Sequence, residues 1–488
     1  MLVFSLRSNV CLLPLLLLSL LFAGCGDSQD PVVTTTGTGT PETAFRGRGA
    51  YMVHHWNKVA VDASGLDHTS NELLQQFGPT RSARAVAIVQ VAVHDAIQAI
   101  EQRYETYLPQ VAAPDADPQA AAAQAAHDTL ASLFPAQHSR FAAELEKDLA
   151  LLPDGPAKDA GREVGRRAAS AIILDRAFDG SGSDVQTGDF IYGILPGEWR
   201  EDPLSSHPPY GPQWPLVRPF VIDSADQFRC PPPPALDSVQ YADAYNEVKR
   251  IGGDGVVTPS ERTEEQTLIG IYWAYDGAPS LCAPPRLYNQ LTAHLAEQEG
   301  VDDLGDLARL MALVTLAQAD TALACWDSKY HYNYWRPVTG IREADPGTGP
   351  TGLGDGNPLT SGDANWTPLG APASNLNGVD FTPPFPTYPS GHASFGGALF
   401  QVLRKELGRD DIAFTFVSDE LDGTTFGSDG QLRPLFPRSF QSLSEAEQEN
   451  GWSRVYLGIH WNFDSTEGIA LGNRVADEVC SRVLRPLP

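Results

Sequence analysis

Three short segments carry side chains that could meet around one oxyanion. In "KYHYNYWRP", Lys329 is followed seven residues later by Arg336 and then Pro337. In "YPSGHASFGG", Ser390, Gly391 and His392 stand just before apolar helical writing. A helix start there presents unpaired backbone N–H groups and the positive end of the helix dipole, an elementary anion site. In "SRVYLGIHWNFD", Arg454 precedes His460 by six residues, and Asp464 lies four beyond the histidine. On one helical face that last spacing sets the carboxylate beside the imidazole. It holds one ring nitrogen protonated and leaves the other with a lone pair. Each segment also has an ordinary reading: solvated or acid-paired cations, a serine cap, a surface His–Asp pair. Lys-x6-Arg-Pro, Pro-Ser-Gly-His and Ser-Arg-x5-His-x3-Asp, in this order in one chain, weigh against coincidence.

The elements that must position these residues are helices. "RSARAVAIVQVAVHDAIQAIEQRY" (Arg81–Tyr104) places Ala, Val and Ile on nearly every helical face, the mark of a helix buried on most sides. Helical patterns follow at Pro118–Leu133, Gln137–Leu151 and Gly155–Arg176, then at Ser238–Ile251, Ser260–Tyr275, Pro285–Glu299 and Asp303–Tyr334. They return at Ala393–Leu407, Ala446–Leu457 and Ser465–Leu484. Two stretches, Phe178–Ala235 and Ala344–Pro389, are so rich in Pro and Gly that no helix could run through them. No segment alternates β-branched residues as a strand would. The expected fold is all-α, two helical bundles joined by long Pro/Gly-rich loops, one over residues 51–235 and one over 236–488.

"MLVFSLRSNVCLLPLLLLSLLFAGC" reads as an export signal over residues 1–24, and its end resembles a lipoprotein signal that would leave Cys25 lipidated. Plain secretion is the alternative. Residues 25–50, rich in Thr, Gly and Pro, read as a flexible tether. No second apolar run of membrane length is expected. With 61 acidic against 34 basic residues and a formal charge of −27, the chain is no partner for nucleic acid or an anionic membrane surface, so the membrane is reached only through a lipid anchor. Beyond Cys25 the cysteines are Cys230, Cys282, Cys325 and Cys480, with no CxxC pair; disulfides are possible but cannot be paired from sequence.

The three motifs resemble those of the vanadium-dependent haloperoxidase and acid phosphatase superfamily. The surrounding text, "ERTEEQTLIGIYWAYDG", "PPRLYNQ", "CWDSKYHYNYWRPVTGIR", "PFPTYPSGHASFGGALF" and "RSFQSLSEAEQENGWSRVYLGIHWNFD", resembles the chloroperoxidase-like branch. The likeness runs from Glu261 to Leu484 and more loosely over the N-terminal bundle. It implies a vanadate cofactor with oxygens neutralised by Lys329, Arg336 and Arg454 and hydrogen-bonded by Ser390 and the Gly391 N–H. It implies His460 as the residue bonded to vanadium, Asp464 as its orienter and His392 as the acid–base group. It further implies Asp276 as a carboxylate paired with one of the arginines, and Trp326 and Phe385 as aromatic walls of a dry halide pocket. Core packing is the plain alternative for those two rings. A trianionic tetrahedral ion does need several fixed cations, and Arg forks suit its oxygens. The implied reaction is oxidation of bromide, and possibly chloride, by hydrogen peroxide to hypohalous acid, which halogenates small organic acceptors; phosphate would compete for the cage. The main rival is an acid phosphatase in which His460 attacks phosphorus and His392 protonates the leaving group. A non-catalytic oxyanion-binding lipoprotein is a second. Trp326, Phe385 and the long Pro-rich loops favour the peroxidase reading.

Overall fold

The computed structural model describes residues 49–69, 74–182 and 190–488. The expected signal, and the tether but for its last two residues, lie outside the described residues. Thirteen α-helices run through the described chain. The first five are α1 (Tyr51–Asp67), α2 (Gly78–Glu101), α3 (Pro118–Leu133), α4 (His138–Leu149) and α5 (Pro156–Arg176). After the first Pro-rich excursion come α6 (Val239–Ile251), α7 (Glu264–Tyr272), α8 (Pro285–Gln298), α9 (Leu304–Tyr332) and α10 (Pro337–Arg342). The last three are α11 (Gly391–Leu407), α12 (Leu443–Tyr456) and α13 (Asn462–Arg482). One antiparallel pair, β1 (Phe414–Phe416) with β2 (Arg438–Phe440), is the only sheet among the described residues.

The helices begin where short polar side chains satisfy their first N–H groups. Asp117 accepts from Gln119 and Ala120 N–H, both at 2.9 Å, to start α3. Thr263 and Gln266 form a capping box at α7, and Asp303, Ser390 and Ser442 cap α9, α11 and α12. Helices α2 to α5 pack as one bundle and α9 with α11 to α13 as another, while α9 also lies along α2. The bundles therefore share a core, and Gly47–Pro488 is one unit. This accounts for a departure from the sequence reading. Both α2 and α9 are long and apolar enough to cross a bilayer, yet 94% of each apolar window is buried inside the protein.

A second departure concerns the helix expected over Ser260–Tyr275. It runs only from Glu264 to Tyr272, because Tyr275 takes a left-handed φ of 48° that no helix continues through. A third concerns the C-terminal motif. Gly458, at φ 72°, breaks the chain between α12 and α13, so His460 lies in the turn before α13 rather than on one helical face with Asp464.

The site depends on how closely α11 meets α13. A Cβ on Gly472 would come within 2.1 Å of the Ser394 carbonyl oxygen, and one on Gly468 within 2.8 Å of the Ser390 carbonyl oxygen. Backbone presses on backbone there, so no side chain can yield. Gly472→Ala is expected to destabilise the fold by about 1–3 kcal/mol through overpacking. Gly378→Ala, where a Cβ meets nothing within 4 Å, should stay within about 0.5 kcal/mol of the parent. Chemical denaturation of both variants checks the difference.

Candidate active site

The three sequence segments converge at the N-terminal end of α11. Lys329, on the last turn of α9, is buried, and its Nζ donates to the carbonyls of Pro386 at 2.8 Å and Thr387 at 2.9 Å. An ammonium has three donors, so one remains for a ligand. Burial, and then the nearby Arg336 cation, push its pKa down from the usual lysine range. Arg336, at the start of α10, donates from Nε to the Phe385 carbonyl at 3.0 Å and from Nη1 to the Ile459 carbonyl at 2.8 Å. The same Nη1 lies 2.9 Å from His460 Nε2. Burial lowers its pKa to about 9, with the Arg454 cation adding to the effect. Arg454, on the last turn of α12, is bound through Nη2 by both oxygens of Asp276, at 2.7 and 2.9 Å. The carboxylate expected to pair with an arginine thus pairs with Arg454.

His460 and Asp464 bond as the motif predicts, though by another route. Asp464 is the third residue of α13, and its Oδ2 folds back to accept the Trp461 N–H at 3.1 Å, as capping carboxylates do. That turn brings the same oxygen 2.7 Å from His460 Nδ1. Burial pushes the Asp464 carboxyl up to about 7, but the Arg336 guanidinium at Nε2 can only donate, so Nε2 holds the lone pair and Nδ1 carries the hydrogen. Burial comes first, then the cations Arg336, Lys329 and Arg454, in holding His460 well below the usual imidazole range. The ring is therefore neutral, and its Nε2 lone pair accepts from Arg336 Nη1.

His392, in the first turn of α11, is also buried and held well below its ordinary pKa, by burial first and then by Arg454. Its Nε2 is 2.5 Å from the Ala274 carbonyl oxygen, which can only accept, and 3.9 Å from Asp276. Ser390 serves as the cap of α11, accepting from the Ala393 N–H at 3.4 Å, so its ordinary reading holds alongside the proposed one. Gly391 opens the helix, and a Cβ there would lie 3.6 Å from the Trp326 ring. Trp326 and Phe385 do stand together, with ring centroids 5.0 Å apart, and Lys329 Nζ lies 5.8 and 5.0 Å from the two rings.

Three guanidinium nitrogens in this cluster, Arg336 Nη2 and Arg454 Nε and Nη1, are buried with no protein acceptor. Unpaired buried donors on charged groups are costly. Three such atoms, the spare Lys329 donor and a helix start, gathered around one imidazole lone pair, fit a multiply charged tetrahedral oxyanion. The cluster's one partnerless acceptor, Asp464 Oδ1, is outnumbered by those donors, and no group of three or more metal-ligating acids, histidines or cysteines exists among the described residues.

Several contributors were not singled out in the sequence. Thr387 donates its hydroxyl to Asp464 Oδ2, lies 3.1 Å from His460 Nδ1, and gives its carbonyl to Lys329. Its place three residues before Ser390 was the available signal. The Ala274 carbonyl and Tyr210, whose carbonyl accepts from Trp326 Nε1 at 3.3 Å, had none, because backbone acceptors leave no mark in side-chain type. Among the remaining histidines, His94 is buried and bonds the Glu105 carbonyl at 3.0 Å. His55 lies 3.4 Å from Asp148 and 3.6 Å from Glu144. The four cysteines beyond Cys25 are free thiols.

Comparison with known proteins bears on the family and the fold. Residues 48–150 match the family model described as the vanadium chloroperoxidase N-terminal domain, and residues 309–487 the one described as the VCPO second helical-bundle domain. The vanadium chloroperoxidase of Curvularia inaequalis is 31% identical over 490 residues, spanning 84% of this chain and 78% of its own length. Among solved structures, a bacterial vanadium-dependent iodoperoxidase aligns with a TM-score of 0.67 at 24% identity, covering 88% of this chain and 97% of its own. The holo form of a bacterial vanadium-dependent chloroperoxidase aligns at 0.61 and 16% identity, covering 85% and 94%. At those identities the structures speak for the fold alone.

Proposed function

Since the chain belongs to the vanadium chloroperoxidase family, we propose that its buried Lys329–Arg336–Arg454–His460 cluster holds the vanadate of a haloperoxidase. The enzyme oxidises halide with hydrogen peroxide. The observation that carries the assignment of the site is the set of three partnerless guanidinium nitrogens around the His460 lone pair. Lys329, Arg336 and Arg454 balance the oxyanion's charge, Ser390 and the Gly391 N–H add hydrogen bonds, and His460 Nε2 supplies the bond to the metal. When bound, vanadate supplies a Lewis acid that stays in its highest oxidation state and polarises the O–O bond of hydrogen peroxide toward attack by halide.

The protein's own part is preparation. Asp276 holds the Arg454 fork, and Asp464 with Thr387 holds the imidazole with its hydrogen on Nδ1. His392 donates Nε2–H to the Ala274 carbonyl, so proton traffic falls to its Nδ1. Its depressed pKa leaves that atom unprotonated at neutral pH, ready to take a proton from incoming peroxide and return it later. Trp326 and Phe385 exclude water beside the Lys329 ammonium, which favours a halide that has shed its hydration. The hypohalous product would halogenate small electron-rich organic acceptors. The N-terminal reading supports export of the protein and a lipid anchor at Cys25 on the extracytoplasmic side of a membrane, with secretion as the alternative.

The test is to strip the purified protein of bound phosphate, add vanadate, and follow bromination and chlorination of a cyclic dione by peroxide, alongside hydrolysis of an aryl phosphate. Halogenation that depends on vanadate and is suppressed by phosphate, with weak hydrolysis, is expected. Phosphatase turnover with no vanadate-dependent halogenation would overturn the reading in favour of an acid phosphatase.

A further inference from the structure

Between α7 and α8 the chain makes two contacts with the site from positions two residues apart. The Ala274 carbonyl accepts from His392 Nε2 at 2.5 Å, and the Asp276 carboxylate accepts twice from Arg454. The residue between them, Tyr275, is fully buried and has a φ of 48°, a conformation that side chains with a Cβ avoid. Such a conformation persists only where its surroundings over-determine it.

The closest hydrogen-bond partners here come from a single turn, residues 418–420, brought in from more than 140 positions away in sequence, with a longer contact of 3.5 Å from the phenol to Gln290 Oε1. Glu420 Oε1 accepts the Tyr275 backbone N–H at 3.0 Å, and the Asp419 N–H donates to the Tyr275 phenol oxygen at 2.7 Å. Ser418 Oγ donates to the Tyr272 carbonyl at 2.6 Å. The turn is fixed in its own right: the buried Glu420 carboxylate pairs with Arg433 and accepts from Ser374 Oγ at 2.6 Å. The neighbouring Asn375 Nδ2 donates to the Pro279 carbonyl at 2.9 Å, holding the far side of the same loop.

We infer that Tyr275 is a positioning residue for the reaction. Gripped at both its backbone and its phenol by the Ser418–Glu420 turn, it sets the acceptor that orients His392 on one side and the carboxylate that orients Arg454 on the other. A change of φ at Tyr275 reorients Ala274 and Asp276 together, so the proton-handling histidine and the anion-holding arginine are tuned as a pair. The inference rests on the reading that His392 and Arg454 act on a bound oxyanion.

Tyr275→Phe keeps the ring and removes only the phenol oxygen, which accepts from Asp419 N–H at 2.7 Å and has longer contacts, at 3.5 Å, with Ser418 Oγ and Gln290 Oε1. It is to be compared with the parent by the 1H and 15N shifts of His392 Nε2–H in the vanadate-free protein, by vanadate Kd from equilibrium dialysis, and by kcat and KM for bromide and peroxide. The expected result is an upfield shift of the Nε2–H proton as its short bond to Ala274 lengthens, with Kd raised and kcat lowered by about 10-fold each, the loss of one buried hydrogen bond. The KM for bromide should stay within about 2-fold, since the halide walls Trp326 and Phe385 are packed on each other and on Tyr210. Ser418→Ala loosens the same turn at the Tyr272 carbonyl, costs the Tyr275 phenol only a long 3.5 Å contact, and should move the same quantities less far. His392→Ala and Arg454→Ala are measured in parallel. If both of those impair binding or turnover while folded Tyr275→Phe and Ser418→Ala match the parent in every readout, the positioning role is overturned and the site assignment stands. If both alanine variants match the parent, the site assignment itself fails.

Discussion

His460→Ala is expected to yield a folded protein that retains no vanadium after gel filtration, with halogenation abolished. The ring is neutral, and without it Asp464 Oδ2 keeps the Thr387 hydroxyl and the Trp461 N–H while Arg336 Nη1 keeps the Ile459 carbonyl, so neither charge is stripped of its partners. Even indirect contacts to metal ligands change affinity by about 10–100-fold, so deleting the bonded atom should weaken vanadate binding by more than about 100-fold. Arg336, Arg454 and Lys329 would still attract the anion, but as a rapidly exchanging ion. Metal analysis of the filtered protein and equilibrium dialysis check both parts; vanadium content and turnover equal to the parent would disprove His460 as the ligand.

His392→Ala should separate binding from turnover. His392 offers Nδ1 for proton transfer and no charge to the cage, because burial and the Arg454 cation keep it neutral. Loss of a general acid–base group lowers kcat by about 10²–10⁴-fold. Vanadate Kd should change by no more than about 3-fold, because the cations and His460 remain in place. Steady-state kinetics at saturating peroxide, with dialysis on the same sample, gives the split. A Kd raised in step with the fall in kcat would mean that His392 holds the anion instead of moving protons.

Much of this site was legible as text. Lys329, Arg336, Ser390, Gly391, His392, Arg454 and His460 lie in three motifs whose order and intervals single them out, and the structure brings all seven together. Several helix starts were legible for a related reason: Asp117, Ser238 and Asp303 are short polar side chains that satisfy the N–H groups two or three residues ahead, whereas the Ser442 cap was missed and α12 begins at Leu443, three residues before the expected Ala446. Such interactions are settled within one turn of chain. The reading failed where local pattern was overruled. Apolar writing continued past Tyr272, but the turn at 418–420 pulls Tyr275 into a left-handed conformation. Spacing suggested a helix through His460, but Gly458 ends α12 first.

The sequence by itself determined the chemical inventory: which cations, which imidazoles, which helix start, and that the fold would be helical. Residue type fixes charge, donor count and lone pairs, and apolar periodicity fixes the helices. Only the tertiary structure decided how that inventory is wired. Asp276 pairs with Arg454 across 178 residues, Thr387 reaches Asp464 across 77, and the Ala274 carbonyl reaches His392 across 118. These pairings follow from glycine-lined contact between α11 and α13 and from a distant turn pressed against the loop after α7. Neither is a property of any short segment, and the same packing leaves three buried guanidinium nitrogens without a protein partner.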